Sequence, residues 1–180
     1  MMKERIISAG FGGQGVMAIG QILAYAGMVE GKQVSWYPAY GPEMRGGAAN
    51  CSIVISDEPI GSPVVTKSDT LIAMNAPALD KFINNVKEGG IVLVNSSLIE
   101  GVIEKANLRV HYIPASDIAN DLGNPKIANM VMVGAYIELT KFASQDSIKQ
   151  AYGKVFGESK MKYYEMNKEA MDRGSKLVRK

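Results

Sequence analysis

Gly10-Phe11-Gly12-Gly13-Gln14-Gly15 is the stretch that decides the fold. It follows the apolar run Arg5-Ile6-Ile7-Ser8-Ala9. It precedes a segment in which Val16, Ile19, Leu23 and Ala26 recur at helical spacing, so it reads as a strand, a tight turn and a helix N-terminus. Glycines let the backbone approach a ligand closely, and the first helical N–H groups, with the helix dipole, favour a negative charge. Gly10, Gly12 and Gly15 match the G-x-G-x-x-G spacing, a match of low specificity by itself. A dinucleotide site also needs an Asp or Glu roughly 20 residues on, at the end of the second strand. That strand, Gln33-Val34-Ser35-Trp36-Tyr37, runs into Pro38-Ala39-Tyr40 without a carboxylate and without a nearby Arg for a 2′-phosphate. NAD and NADP are therefore disfavoured. Two readings of the turn stay open: the close strand-to-helix packing of any α/β domain, or contact with an anionic ligand.

The chain has 180 residues, 47% of them hydrophobic, enough for one well-buried domain over 1–180 and short for two. Within it, 1–143 reads as an α/β core and 144–180 as C-terminal helices packed on that core. A formal charge of +2, with basic residues dispersed until the last helix, argues against nucleic-acid binding. No apolar run reaches membrane-spanning length, and the N-terminus enters a strand without a signal-peptide pattern, so a soluble cytoplasmic protein with no membrane partner is expected. The single cysteine, Cys51, rules out an internal disulfide and a cysteine-held iron–sulfur cluster; in the run Ala48 to Ile55 it reads as a small buried thiol. His111, the only histidine, has no cysteine or histidine neighbours and reads as structural; no metal site is expected.

After the first helix, to about Glu30, and the second strand comes the loop Pro38 to Gly47. It is too rich in Gly and Pro for a helix, yet it carries Tyr40, Glu43, Met44 and Arg45, which a mere connection does not need. The third strand, Ala48 to Ser56, follows without a crossover helix, so these two strands should run antiparallel. Next come a buried strand, Thr70 to Met74, and a helix capped by Asn75 that buries Leu79, Phe82, Ile83 and Val86 and stops at Gly89-Gly90. A strand Ile91 to Val94 ends in Asn95-Ser96-Ser97. A strand Arg109 to Ile113 precedes a short helix from Pro114 to Asp121. The helix around Ile127 to Leu139 is apolar on most of its circumference and so buried in the domain or against a partner. Helices at Asp146 to Phe156 and Ser159 to Val178 complete the chain.

Near-continuous apolar strands alternating with helices predict an α/β fold: a Rossmann-like layer with a mixed, mostly parallel sheet, helices on both faces and a C-terminal helical extension. In such sheets ligands bind beyond the carboxyl ends of the strands. Gly10 to Gly15, Asn75, Asn95 to Ser97 and the Tyr40-to-Gly47 loop all fall at that edge.

At this point several blocks, in order, carry a family resemblance. Gly10-Phe11-Gly12-Gly13-Gln14-Gly15-Val16, Tyr40-Gly41-Pro42-Glu43-Met44-Arg45-Gly46-Gly47, Ile55-Ser56-Asp57-Glu58-Pro59-Ile60-Gly61-Ser62-Pro63, Gly123-Asn124-Pro125 and Asn129 to Ala135 resemble the gamma subunit of 2-oxoacid:ferredoxin (acceptor) oxidoreductases. The Tyr40-to-Gly47 form resembles the 2-oxoglutarate branch more than the pyruvate branch. The resemblance implies a multi-chain enzyme that decarboxylates a 2-oxoacid on thiamine diphosphate, passes electrons through iron–sulfur clusters to ferredoxin or another acceptor, and forms an acyl-CoA. It implies alpha, beta and iron–sulfur delta partner chains that bear the thiamine diphosphate and the clusters, and a gamma chain that is non-redox and inactive alone.

The residues agree with that division, because the chain offers no catalytic triad, no cluster cysteines and no dinucleotide carboxylate. Gly10, Gly12, Gly13, Gln14 and Gly15, with Arg45 and Asn75, are the candidate cofactor-binding residues, for phosphate or carboxylate groups, or for a pyrophosphate-bearing ligand such as CoA. Tyr40, Glu43, Met44, Arg45, Gly46 and Gly47 are the candidate partner interface, to which exposed Trp36 and Tyr37 add amphipathic surface. Met130 and Met132 read as core. A stand-alone nucleotide- or flavin-binding protein and a purely structural spacer are the other function classes, and self-association of the isolated chain stays open.

Overall fold

The computed structural model describes residues 1–40 and 47–179. Six strands, β1 (Lys3–Phe11), β2 (Gln33–Tyr40), β3 (Ala48–Ser56), β4 (Ser68–Ala73), β5 (Val86–Asn95) and β6 (Arg109–Ile113), form one sheet in the order β2-β3-β1-β4-β5-β6. The pairs β1/β4, β4/β5 and β5/β6 are parallel, while β3 runs antiparallel to both of its neighbours, β1 and β2. The sheet is thus mixed and mostly parallel, as the sequence predicts, and β2 and β3 pair antiparallel because their connection is too short for a crossover.

The helices are α1 (Val16–Val29), α2 (Ala76–Phe82), α3 (Ala115–Asp121), α4 (Ala128–Thr140), α5 (Gln145–Phe156) and α6 (Tyr164–Val178). Strand alternation divides the core in two. Ile6, Cys51, Ile53, Ile72, Met74 and Leu93 face α1 and the layer of α3 to α6. Ile7, Val54, Leu71, Ala73, Val92 and Val94 face α2 and the connections bearing Val65 and Ile99. Both faces carry helix, but among the described residues the only α-helix on the second face is the short α2.

Helix α4 is apolar all round because it is buried all round: Ala128 to Tyr136 are nine consecutive buried residues, Met130 and Met132 among them. One side lies on the sheet and the other under α6. There Gly134 meets the backbone of Met171, and Gly174 meets that of Val131, so the two helices cross in backbone contact. Each buried Val or Met of this layer contributes about 1.5–3 kcal/mol by leaving water.

Several element boundaries differ from the sequence reading, β4 (Ser68–Ala73) among them. The helix after β4 ends at Phe82, followed by a 3-10 turn Ile83–Asn85, and Val86 already belongs to β5. Gly89, at φ 74°, sits inside β5 at an irregularity in its pairing with β4, where glycine lets the strand bulge and continue rather than stop a helix. Strand β2 runs on through Pro38 to Tyr40; β2 is an edge strand, where a missing N–H is tolerated. The C-terminal helix opens as a 3-10 stretch, Glu158–Tyr163, before α6.

Candidate functional site

The site is built where β1 hands over to α1. Phe11 pairs with Ala48, and Tyr40 with Ala49, so the end of β1 and both ends of the Tyr40-to-Gly47 loop share one rim of the sheet. The Gly12 N–H donates to the Gly47 carbonyl at 2.9 Å, joining the turn to the exit of that loop, and the Gln14 N–H closes the turn on the Phe11 carbonyl at 3.2 Å. Gly15, at φ 73°, caps α1 without a side-chain hydrogen bond, and the first intrahelical bond runs from the Ile19 N–H to the Gly15 carbonyl at 3.0 Å. The first-turn N–H groups of Val16, Met17 and Ala18 therefore have no intrahelical acceptor, and no acidic side chain stands in that turn. They border a cleft of about 340 Å³ whose walls include Phe11, Gly12, Gly13, Met17 and Tyr40. Its chemistry is that of a helix N-terminus framed by apolar side chains, a favourable place for an anionic group attached to an apolar body.

The glycines divide by role. A Cβ on Gly10 would strike Gln14 Oε1 at 2.6 Å and the Met74 and Val16 side chains at 2.9 Å; one on Gly15 would run into the Asn129 amide. These two are held by packing. Gly13, at φ 94°, has open space where a Cβ would be, and with Gly12 it faces the cleft.

Gln14 and Asn75 are engaged with the protein. Gln14 Oε1 accepts from the Phe11 N–H at 2.7 Å and from Asn75 Nδ2 at 3.0 Å, and Gln14 Nε2 donates to the Met74 carbonyl at 3.4 Å. Asn75 Oδ1 caps α2 by accepting from the Ala78 N–H at 2.9 Å. Asn95 continues the row, donating to the Met74 carbonyl at 3.3 Å and to Ser116 Oγ at 3.0 Å, while Ser97 Oγ accepts from the Asp117 N–H. The polar residues at the strand ends thus form a ladder of amides that locks β1, β4 and β5 together. Glu43, Met44, Arg45 and Gly46 lie outside the described residues, whereas Tyr40 is 58% exposed at the rim and Gly47 is tied to Gly12.

Trp36 departs from the sequence reading. It is half-buried against α1, where Gly20 leaves room for its indole beside Cys51; of the three aromatics assigned to that surface, Tyr37 and Tyr40 are exposed. Cys51 is fully buried, its thiol 3.6 Å from the Val16 carbonyl, and burial pushes its pKa up to about 12. Among the described residues no group of three His, Cys, Asp or Glu could hold a metal ion, and no helix is long and apolar enough to cross a membrane. Asn129 is the site residue that sequence reasoning missed. Buried in α4, it donates to the Gly15 carbonyl at 3.3 Å and shapes the entry to α1, and only its polarity within an apolar helix marks it.

The strand order also bears on dinucleotides. β3 lies between β1 and β2, so the end of β2 is two strand spacings, about 9–10 Å, from the glycine turn instead of adjacent to it. Among the described residues, the end of β2 therefore does not adjoin the glycine turn as the second strand of a dinucleotide fold does.

Residues 5–177 match the family model described as pyruvate ferredoxin/flavodoxin oxidoreductase. The ketoisovalerate oxidoreductase subunit VorA of Methanothermobacter marburgensis is 42% identical over 179 residues, 99% of this chain and 37% of the relative. The 2-oxoglutarate synthase subunit KorC of Methanocaldococcus jannaschii is 39% identical over 153 residues, 83% of this chain and 82% of the relative. Among solved structures, the gamma subunit of a keto/oxoacid ferredoxin oxidoreductase from Geobacter sulfurreducens superposes with a TM-score of 0.81 at 32% identity, covering 97% of this chain and 98% of that one. A 2-oxoglutarate:ferredoxin oxidoreductase from Magnetococcus marinus, with 2-oxoglutarate, coenzyme A and succinyl-CoA bound, gives 0.89 at 25% identity, covering 99% of this chain and 31% of that one. The chain therefore spans little more than a third of the VorA relative and less than a third of the Magnetococcus chain.

Proposed function

Because this chain belongs to the pyruvate ferredoxin/flavodoxin oxidoreductase family, we propose that it is the gamma component of a multi-chain 2-oxoacid:ferredoxin oxidoreductase. In this reading it bears no redox centre of its own. Alpha and beta chains and an iron–sulfur delta chain carry the thiamine diphosphate and the clusters, and ferredoxin or another acceptor takes the electrons from the assembly. The gamma chain contributes the rim at which β1, α1 and the Tyr40-to-Gly47 loop meet.

One observation carries the ligand part of the proposal: the uncapped first turn of α1 opens into the cleft beside Gly12, Gly13 and Tyr40. A CoA pyrophosphate suits that donor set, since backbone N–H groups and the helix dipole meet a negative charge while Phe11, Met17 and Tyr40 offer apolar surface. The chain's own residues would bind and orient this ligand; bond making and breaking belong to the partner chains. Arg45, placed in sequence between Tyr40 and Gly47, is the cation proposed to complete the site, and Glu43, Met44 and Gly46 are proposed to dock against the thiamine-binding chains.

The preferred substrate is 2-oxoglutarate, supported by the Tyr-Gly-Pro-Glu-Met-Arg-Gly-Gly loop and by the KorC relative. The VorA relative, at 42% identity, favours a second reading in which the acid is the branched ketoisovalerate. Reconstituting the complex and comparing kcat/KM for 2-oxoglutarate, ketoisovalerate and pyruvate decides between them. In the same complex, Arg45→Ala is expected to raise the apparent KM for CoA with subunit association intact. Weakened association with unchanged KM would assign the loop to docking alone.

A further inference from the structure

Among the described residues, four buried side-chain oxygens without a hydrogen-bond partner belong to one face of the sheet: Glu4 Oε2, Ser68 Oγ, Thr70 Oγ1 and Tyr136 Oη. Ile6 and Thr70 are partners across β1 and β4, and Ile6 and Ile72 both pack on the side of α4. By strand alternation Glu4 and Thr70 share that side, and Ser68 continues the row toward the start of β4. Tyr136 descends onto the same side from α4, with none of its surface exposed; Ser68 and Thr70 are equally buried. Burial raises the Tyr136 hydroxyl pKa, the Glu4 and Asp69 charges raise it further, and the Thr140 side chain lowers it. The patch lies at the amino edge of β1 and β4, the opposite end of the sheet from the glycine turn.

The surrounding groups are otherwise engaged. Asp69 accepts from the Arg5 N–H at 2.8 Å and from Lys87 Nζ at 2.6 Å. Arg109 Nε donates to the Gly89 carbonyl at 3.0 Å, and the Thr140 hydroxyl donates to the Tyr136 carbonyl at 2.9 Å. Four polar oxygens left dry in one patch would each be desolvated for no return, and folded proteins seldom tolerate that. A buried water makes two to four hydrogen bonds, enough to serve the unpartnered oxygens on this side of the sheet. The bonds also balance: a water donates to the Glu4 oxygen and one hydroxyl, and accepts from the other two hydroxyls.

We infer that Glu4, Ser68, Thr70 and Tyr136 bind an ordered water beneath the C-terminal half of α4. This water fastens that half of α4 to the sheet, while Asn129, at its other end, fastens it to Gly15. The partly exposed Glu4 forms the route to bulk solvent.

High-resolution diffraction from the full chain is expected to show a density peak within hydrogen-bond distance of the three hydroxyls; a dry patch overturns the inference. Thr70→Val and Tyr136→Phe remove one hydroxyl each at nearly constant volume. Each is expected to lower the urea midpoint, and the double variant to lower it by less than the sum, because both lose the same partner. Unchanged or raised midpoints would mean that the hydroxyls are dry. If the wild-type Tm rises in KCl or NaCl over choline chloride at equal ionic strength, and the rise vanishes in Thr70→Val, the occupant is a monovalent cation and the assignment to water fails.

Discussion

Asn75 Nδ2 donates to Gln14 Oε1 at 3.0 Å, across 61 residues of sequence, and ties the start of α2 to the turn that opens α1. The same Gln14 oxygen holds the Phe11 N–H, so one amide keeps the mouth of the cleft in shape. Gln14→Ala is expected to cost about 1–2 kcal/mol, measured by urea denaturation, because two donors lose their acceptor. An unchanged midpoint would show that the ladder of amides is not needed for the turn.

Gly15 combines a left-handed backbone with a neighbour, Asn129, that leaves no room for a side chain. Gly15→Ala should destabilise by at least about 1–2 kcal/mol from the backbone alone. Adding Asn129→Ala should recover part of the remainder, since it removes the amide in the way. A double variant no better than the single would place the whole cost in the backbone.

The α4–α6 crossing makes a stronger demand. A methyl group on Gly134 or Gly174 would overlap a carbonyl oxygen of the facing helix, at Met171 and Val131 respectively. Each Gly→Ala variant is expected to lose about 3 kcal/mol in chemical denaturation, at the upper end of overpacking costs, because backbone cannot step aside as a side chain can. Losses below about 1 kcal/mol would mean that the helices separate easily.

Cys51 should be inert in the folded chain. With its pKa pushed up to about 12 by burial, it holds almost no thiolate at neutral pH. A disulfide reagent such as DTNB is expected to leave it untouched until guanidinium unfolds the protein, and then to titrate one thiol per chain. Rapid labelling of the native protein would contradict the packing of β3 under α1.

Glu138 gives a pH dependence. The Lys141 ammonium at 2.5 Å, the Ser175 hydroxyl at 2.7 Å and the Arg179 guanidinium at 3.3 Å hold its pKa down to about 2. A folded-state pKa below the unfolded one adds stability that is fully present above the ordinary value of 4.5 and is lost as pH falls toward about 2. Glu138→Gln is therefore expected to lower the Tm at neutral pH, with the gap to wild type closing over that window. A gap independent of pH would assign the effect to packing.

Much of this protein is legible in its sequence, because its signals are local. The glycine turn between an apolar run and a helical period, the proline-led helix behind Asn75 and the short link that forces β2 and β3 antiparallel are settled by neighbours a few residues apart. The start of β5 is not, since Leu79, Phe82, Ile83 and Val86 keep helical spacing past the true helix end, and only pairing with β4 draws Val86 into the sheet.

The sequence alone determined that Gly12 and Gly13 stand at a helix N-terminus, that Cys51 is a buried thiol and that no cysteine set for a cluster is present. Only the tertiary structure decided that Gln14 and Asn75 satisfy one another, that β3 separates β1 from β2, and that Glu4, Ser68, Thr70 and Tyr136 share the side of the sheet covered by α4. The reason is physical: a backbone conformation is set by residues nearby in the chain, whereas a side-chain amide or hydroxyl finds its partner only once strand order and helix packing have brought distant segments together.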